Sequence, residues 1–410
     1  MYHSSKTRNS PELADILHRH EKRYISTYGA SVFQKKAIRA ISRCRTAALG
    51  GHVLRCNHCG ATEIAYNSCR YRHCPKCQTS KQLRWITARQ SELLPVPYYH
   101  VVFTLPHELN PLASYHPEII YQLLFKAAWA TIETLGYDKR RLNGKMGMLG
   151  FLHTWGQNLN QHIHLHCMIP GGALSQTDEG FKWNPSQNKY LFPVRVMSKL
   201  FGKLFITELE KLYLNKSFNF KGCIADLSCP MHFAKYQTQL AQKSWNVYAK
   251  KPFNGAEGGI EYLARYFSKT AIGNERILSA DDEYVRFKWR DYADNNQSKI
   301  MKLTIDEFIR RYLSHILPDG FMRVRYFGFL ASSCKKKNLK TIQSLLNSIP
   351  KKHMQSKAKM SKVKETLTEL MQRVIGIDIE QCKRCQLGRL QVIEELKPIL
   401  SDAPKINDTS

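Results

Sequence analysis

The sequence predicts an α+β fold, with a central, largely antiparallel sheet flanked by helices. Three observations carry this. Strand-length runs of β-branched and aromatic residues recur through the middle of the chain. Helical stretches separate some of them, but without the regular alternation that builds a parallel sheet. Glycine and proline punctuate the junctions, as at Pro95, Pro97, Gly171, Gly172, Pro318 and Gly320.

In order, residues 11–45 have a helical pattern carried by Leu13, Ile16, Leu17, Tyr24 and Ile25. A cysteine-rich stretch runs to about residue 95. Residues 98–105 form a first strand, 117–136 a helix, 148–155 a second strand and 162–169 a third, turned by Gly171-Gly172. Helices follow at 197–213 and 233–243, then extended chain at 244–249 and a helix at 260–269. Residues 284–292 and 299–304 make a hairpin. Asp306 opens a helix to Ile316, and 323–330 is a strand. This divides the chain into a helical and cysteine-rich domain (1–95), a main α+β domain (96–275), its continuation (276–334) and a basic C-terminal region (335–410).

The 410 residues carry 62 Lys and Arg against 33 Asp and Glu, a net charge of +29 spread along the whole length. That excess predicts a polyanionic partner, nucleic acid before a membrane surface. The N-terminus has no apolar signal segment, and no apolar run approaches a membrane span. The expectation is a cytoplasmic protein without a membrane partner. Twelve cysteines in such a compartment call for metal or burial rather than disulfides.

In Gln161-His162-Ile163-His164-Leu165-His166, three histidines alternate with apolar residues. On a strand, positions two apart share a face, so the imidazoles point one way while Ile163, Leu165 and Cys167 enter a core. A divalent metal is the simplest reason for that alignment; a polar strand edge is the plainer one.

Cys56-Asn57-His58-Cys59-Gly60 and Cys74-Pro75-Lys76-Cys77 are two Cys-x-x-Cys knuckles separated by 14 residues. That is the spacing of a four-cysteine structural Zn²⁺ site. Cys69 and His73 are alternative ligands, with His52 and His58 also near. Arg70, Arg72 and Lys76 lie in a basic collar of the kind that binds nucleic acid. Cys382-Lys383-Arg384-Cys385 is a further knuckle with no second pair nearby, completed by a distant residue such as Cys334 or simply a relic. Cys44, Cys167, Cys223 and Cys229 are expected as small buried hydrophobes.

Tyr262 and Tyr266 lie four apart, which on a helix puts both hydroxyls on one face. Tyr24 and Tyr28 share that spacing with no evident metal, so spacing alone decides nothing. The surrounding Arg265, Lys269 and Arg276 make the segment cationic.

Together these residues resemble the two-tyrosine rolling-circle transposases of bacterial insertion sequences, typified by insertion sequence ninety-one. That family belongs to the His-hydrophobic-His nuclease class. The likeness covers about residues 40–335. It is carried by 68–78, by His153-Thr154-Trp155-Gly156-Gln157 leading into His162–His166, by Tyr262-Leu263-Ala264-Arg265-Tyr266, and by the run from Phe308 to Phe321. One departure is Ile163, where relatives often carry proline.

The resemblance implies the nuclease fold and a strand transferase acting on DNA. Its substrates would be single-stranded or hairpin transposon ends and target. His164 and His166 would hold catalytic Mg²⁺ or Mn²⁺, with His162 as a third ligand. Tyr262 and Tyr266 would be the nucleophiles, forming a 5′-phosphotyrosine. A replication initiator or relaxase of the same chemistry is one alternative; a non-catalytic zinc-containing nucleic-acid-binding protein is another.

Overall fold

Gly29 closes α1 (Leu13–Tyr28) at φ +72°, and Ser31 opens α2 (Val32–Ser42) through a reciprocal capping box with Gln34. The single stretch expected over 11–45 is therefore a helical hairpin. Here and below, the structure is a computed structural model. It describes residues 10–78, 92–186, 190–250, 252, 269–348 and 378–399, with scattered residues at 82–89 and at 369 and 372.

Strands β1 (Gly51–Cys56) and β2 (Thr62–Tyr66) follow. The central strands are β3 (Tyr98–Thr104), β4 (Gly147–Trp155) and β5 (Gln161–Pro170). Between β3 and β4 lie α3 (Asn110–Tyr115) and α4 (Pro117–Tyr137). A small hairpin, β6 (Gly172–Thr177) and β7 (Gly180–Pro185), precedes α5 (Val194–Leu214) and α6 (Pro230–Gln242). Then come β8 (Asn246–Ala249), β9 (Ile277–Ala280), β10 (Tyr284–Asp291), β11 (Gln297–Thr304) and α7 (Ile305–Leu313). The chain closes with β12 (Val324–Gly328), α8 (Lys335–Ser348) and β13 (Leu390–Leu396).

The α+β expectation holds. The central sheet has five strands in the order β12-β4-β5-β3-β8, all antiparallel. One face packs on α4 and α5, where Phe103, Phe201, Phe205 and Trp245 interlock. Burying each such ring stabilises the fold by about 2–3 kcal/mol. The opposite face carries Phe151, Phe329 and Leu339 from α8.

A second core joins α1 and α2 to α7 and to the β9-β10-β11 sheet, through Leu17, Ile41, Phe287, Phe308 and Tyr312. β13 forms an edge of the β13-β1-β2 sheet. The basic C-terminal region thus contributes one helix to the central core and one strand to the N-terminal sheet. Among the described residues no helix is long and apolar enough to cross a membrane.

Candidate active site and metal centres

β5 alternates as the sequence demands. Ile163, Leu165 and Cys167 are buried in the core, while His162, His164 and His166 occupy the other face, progressively less exposed toward the sheet centre. β4 runs antiparallel beside it and sets His153 opposite His164. The ligand nitrogens of His153, His164 and His166 all lie within 4.8 Å of one another. His162, the expected third ligand, sits nearer the solvent end of the strand and outside this group, in which His153 stands instead. The hairpin connecting β4 to β5 was the signal that could have found it: two strands joined by Gly156 to Asn160 pair from the turn outward.

The ring orientations are set by hydrogen bonds. His164 Nδ1–H donates to the His162 carbonyl at 2.7 Å, which leaves its Nε2 lone pair for a cation. His166 Nδ1 lies 2.9 Å from His100 Nε2, with the two rings stacked. Burial holds His164 down at about 3, and His166 still lower, with neighbouring imidazoles as the next cause. His100 is lowered to about 4, chiefly by burial. All three are neutral bases at physiological pH, the form that ligates metal. Buried donors of this type fit a divalent cation at this point.

The histidines floor a cleft of about 530 Å³. Its walls include Trp155, Gln161, Lys269, Trp289, Arg290 and Tyr292, a mixture of cations and flat rings. Beneath it, His315 Nε2–H donates to the Leu159 carbonyl at 2.9 Å and its Nδ1 faces the Thr154 hydroxyl at 3.3 Å, bracing the end of β4.

The cysteines sort into two tetrads rather than one: Cys44, Cys69, Cys74 and Cys77, and separately Cys56, Cys59, Cys382 and Cys385. The expected set of Cys56, Cys59, Cys74 and Cys77 is therefore split between two places. Cys44, taken for a buried hydrophobe, completes the first tetrad from the end of α2. His73 stays outside both: its Nε2 accepts the Leu317 N–H at 3.2 Å. Cys334 belongs to neither, its thiol facing the Gly328 carbonyl.

Two family models match the chain. A family model described as "Putative transposase" matches residues 147–338, and one described as "Transposase zinc-binding domain" matches 16–105. A relative from Sinorhizobium fredii named "Putative transposase y4qJ" is 39% identical over 98% of this chain and 100% of its own length. The chain belongs to the transposases of the insertion sequence ninety-one type. The "Transposase for insertion sequence element IS801" of Pseudomonas savastanoi pv. phaseolicola is 28% identical over 70% of this chain and 68% of its own. No solved structure matches.

The transposase acts on DNA and carries an N-terminal zinc-binding domain. Three of the basic residues expected on DNA are committed to the protein's own fold. Arg72 donates to the carbonyls of Leu317, Pro318 and Phe321. Lys76 pairs with Glu12 at 2.5 Å, both side chains mostly covered. Arg276 donates to the carbonyls of Lys288 and Gln157, fixing β10 to the loop after β4. Arg70 is exposed, and Lys269 lines the histidine cleft. Tyr262, Arg265 and Tyr266 lie outside the described residues.

Proposed function

We propose that the transposase cuts and rejoins single-stranded DNA at insertion-sequence ends by tyrosine attack, with the fold of a His-hydrophobic-His nuclease. One observation carries the proposal: three imidazoles converge in a cleft that Lys269 also lines. Lys269 follows Tyr266 by three residues in the chain.

His153, His164 and His166 would hold the divalent cation, which when bound supplies Lewis-acid polarisation of the scissile phosphate. Imidazole favours Mn²⁺ over Mg²⁺ as the ion that works best. The remaining work falls to side chains. Trp289 and Tyr292 offer faces on which unpaired bases stack, and Arg290 a charge for the backbone. Lys269 is held below the usual ammonium range by desolvation first and by Arg276 second. Its charge favours the phenolate of a neighbouring tyrosine.

Tyr262 or Tyr266 attacks phosphorus in line, giving up its proton to water. The new bond joins phosphorus to the phenolic oxygen, the bond to the 3′ oxygen breaks, and that oxygen leaves as a 3′-hydroxyl after taking up a proton. The 5′-phosphotyrosine keeps the phosphodiester energy, so the reverse step rejoins strands without ATP. Two tyrosines allow two such links, one for the element's end and one for the target. Such a protein works on the nucleoid, in the cytoplasm.

The test is an incubation with a single-stranded oligonucleotide and Mn²⁺. An adduct surviving denaturing electrophoresis is expected, faster in Mn²⁺ than in Mg²⁺. Tyr262→Phe combined with Tyr266→Phe removes it; an undiminished adduct in the double variant sinks the proposal. Short subterminal hairpins flanking the gene would separate this role from a replication initiator or relaxase.

A further inference from the structure

We propose that Cys56, Cys59, Cys382 and Cys385 bind a second structural Zn²⁺ ion, which clasps the C-terminal segment to the N-terminal zinc-binding domain. The two later cysteines lie beyond both spans matched by the family models.

The sulfur geometry is that of a metal site. Cys56 Sγ lies 3.7 Å from Cys385 Sγ, and Cys59 Sγ lies 3.8 Å from Cys382 Sγ. A tetrahedron with Zn–S bonds of about 2.3 Å has edges of about 3.8 Å. Disulfide sulfurs would sit about 2.05 Å apart. The first tetrad shows the same edge, with Cys69 Sγ and Cys77 Sγ at 3.7 Å.

Both knuckles are built alike. The Gly60 N–H returns to the Cys56 carbonyl at 3.1 Å, and the Gln386 N–H to the Cys382 carbonyl at 2.8 Å; both residues have positive φ. Backbone N–H groups of His58 and Cys59 point at Cys56 Sγ, and that of Gly388 at Cys385 Sγ, at 3.4–3.5 Å. Such donors stabilise thiolates and orient them for a cation. Gly388 is required by the approach: a Cβ there would collide with Cys56 Sγ. Asn57 locks the two knuckles together, its N–H donating to the Arg389 carbonyl and its side-chain oxygen accepting the Arg389 N–H.

The sheet itself needs such a staple. β13 is mostly exposed, with Val392 and Ile393 facing solvent, and its partner strand β1 is backed by an equally open β2. A small sheet that buries little apolar surface is marginal on its own. Four thiolates with no oxygen donor exclude Mg²⁺ and Ca²⁺, and select Zn²⁺ as the resident of a closed structural site.

Elemental analysis of the full chain, purified without chelator, should return two zinc ions per chain. Cys382→Ser with Cys385→Ser should return one. A measurement on the unaltered protein guards against misfolding of that variant. In the zinc-loaded chain, N-ethylmaleimide should label exposed Cys223 while sparing Cys59, Cys382 and Cys385. One zinc per chain, iron in place of the second zinc, or ready labelling of Cys382 and Cys385 in the loaded protein would each overturn the proposal. None of these readouts depends on DNA cleavage.

Discussion

The histidine centre and the cysteine tetrads gather metal-binding side chains by opposite routes. The histidines come from two adjacent strands of one hairpin, His153 facing His164 across a single register. The second cysteine tetrad joins residues 329 positions apart. The first draws Cys44 from a helix end to meet Cys69, Cys74 and Cys77. A hairpin site is formed as soon as its strands pair, and the sheet's core supports it from behind. The second tetrad, at the rim of an open sheet, has no such backing, so metal and fold depend on each other there.

The sharpest way to break that contrast is Cys44→Ser. Cys44 is fully buried, among Leu13, Ile38, Ile41 and Tyr312, where the two-helix hairpin meets α7. Losing this ligand removes a zinc and leaves a polar hydroxyl in the core. The expected cost is on the order of 5 kcal/mol or more, read as a collapsed thermal transition together with lost zinc. Cys382→Ser should instead leave the main transition in place, because the second tetrad lies at the rim of an open sheet. Equal losses would mean that both tetrads support the same core.

This contrast also accounts for what could be read without a structure. The central strands, α4, α5 and the β10–β11 hairpin follow local patterns, and the histidine alternation is legible because strand geometry repeats every two residues. His153 was within reach of the same reasoning, given the hairpin. The cysteine pairing was not. Cys56-x-x-Cys59 and Cys74-x-x-Cys77 have the right spacing for each other, and only the path of the chain shows that they take other partners. Strands β1, β2 and β13 were not legible, since they are short or largely exposed and are held by ladder hydrogen bonds and knuckles more than by burial. The inward turn of Arg72 and Arg276 was hidden for a related reason: a guanidinium that caps buried carbonyls looks the same in sequence as one that meets phosphate.

Acid should probe the histidine region next. His315 is wholly enclosed and lowered to about 4, mainly by burial, with the Arg310 charge adding to it. Its unfolded value is about 6.5, so the unfolded chain takes up a proton first as pH falls. Stability from this residue is intact above about pH 6.5 and is lost progressively toward pH 4, about 3 kcal/mol in all. Urea midpoints measured across that window should fall. His315→Gln should flatten the slope, whatever it does to the level at neutral pH. An unchanged slope would mean that His315 is not kept neutral by the fold.

His153→Ala tests which residue completes the histidine centre. Loss of a ligand should slow single-turnover cleavage by about 10²-fold, or about 2.7 kcal/mol. His162→Ala should slow it by less than about tenfold, since its contribution to His164 is a backbone carbonyl that the substitution keeps. The reverse ranking would restore His162 as the third ligand.

The smallest expected effect is that of Arg70, one of two arginines on either side of Tyr71. Arg70 sits at positive φ with its side chain exposed, while Arg72 turns inward to three carbonyls. One phosphate contact contributes close to one unit to the slope of log affinity against log salt. Arg70→Ala should therefore lower that slope by about one and leave unfolding unchanged. Arg72→Ala should keep the slope and lower stability by about 2–4 kcal/mol, because three carbonyls lose their donor. Anisotropy titrations of a labelled single strand, run beside urea unfolding, read both quantities. If Arg72→Ala changed the slope as much as Arg70→Ala, the inward-facing guanidinium would have to reach DNA. The zinc-binding domain would then rearrange on binding, and its contacts with residues 317–321 would belong only to the free protein.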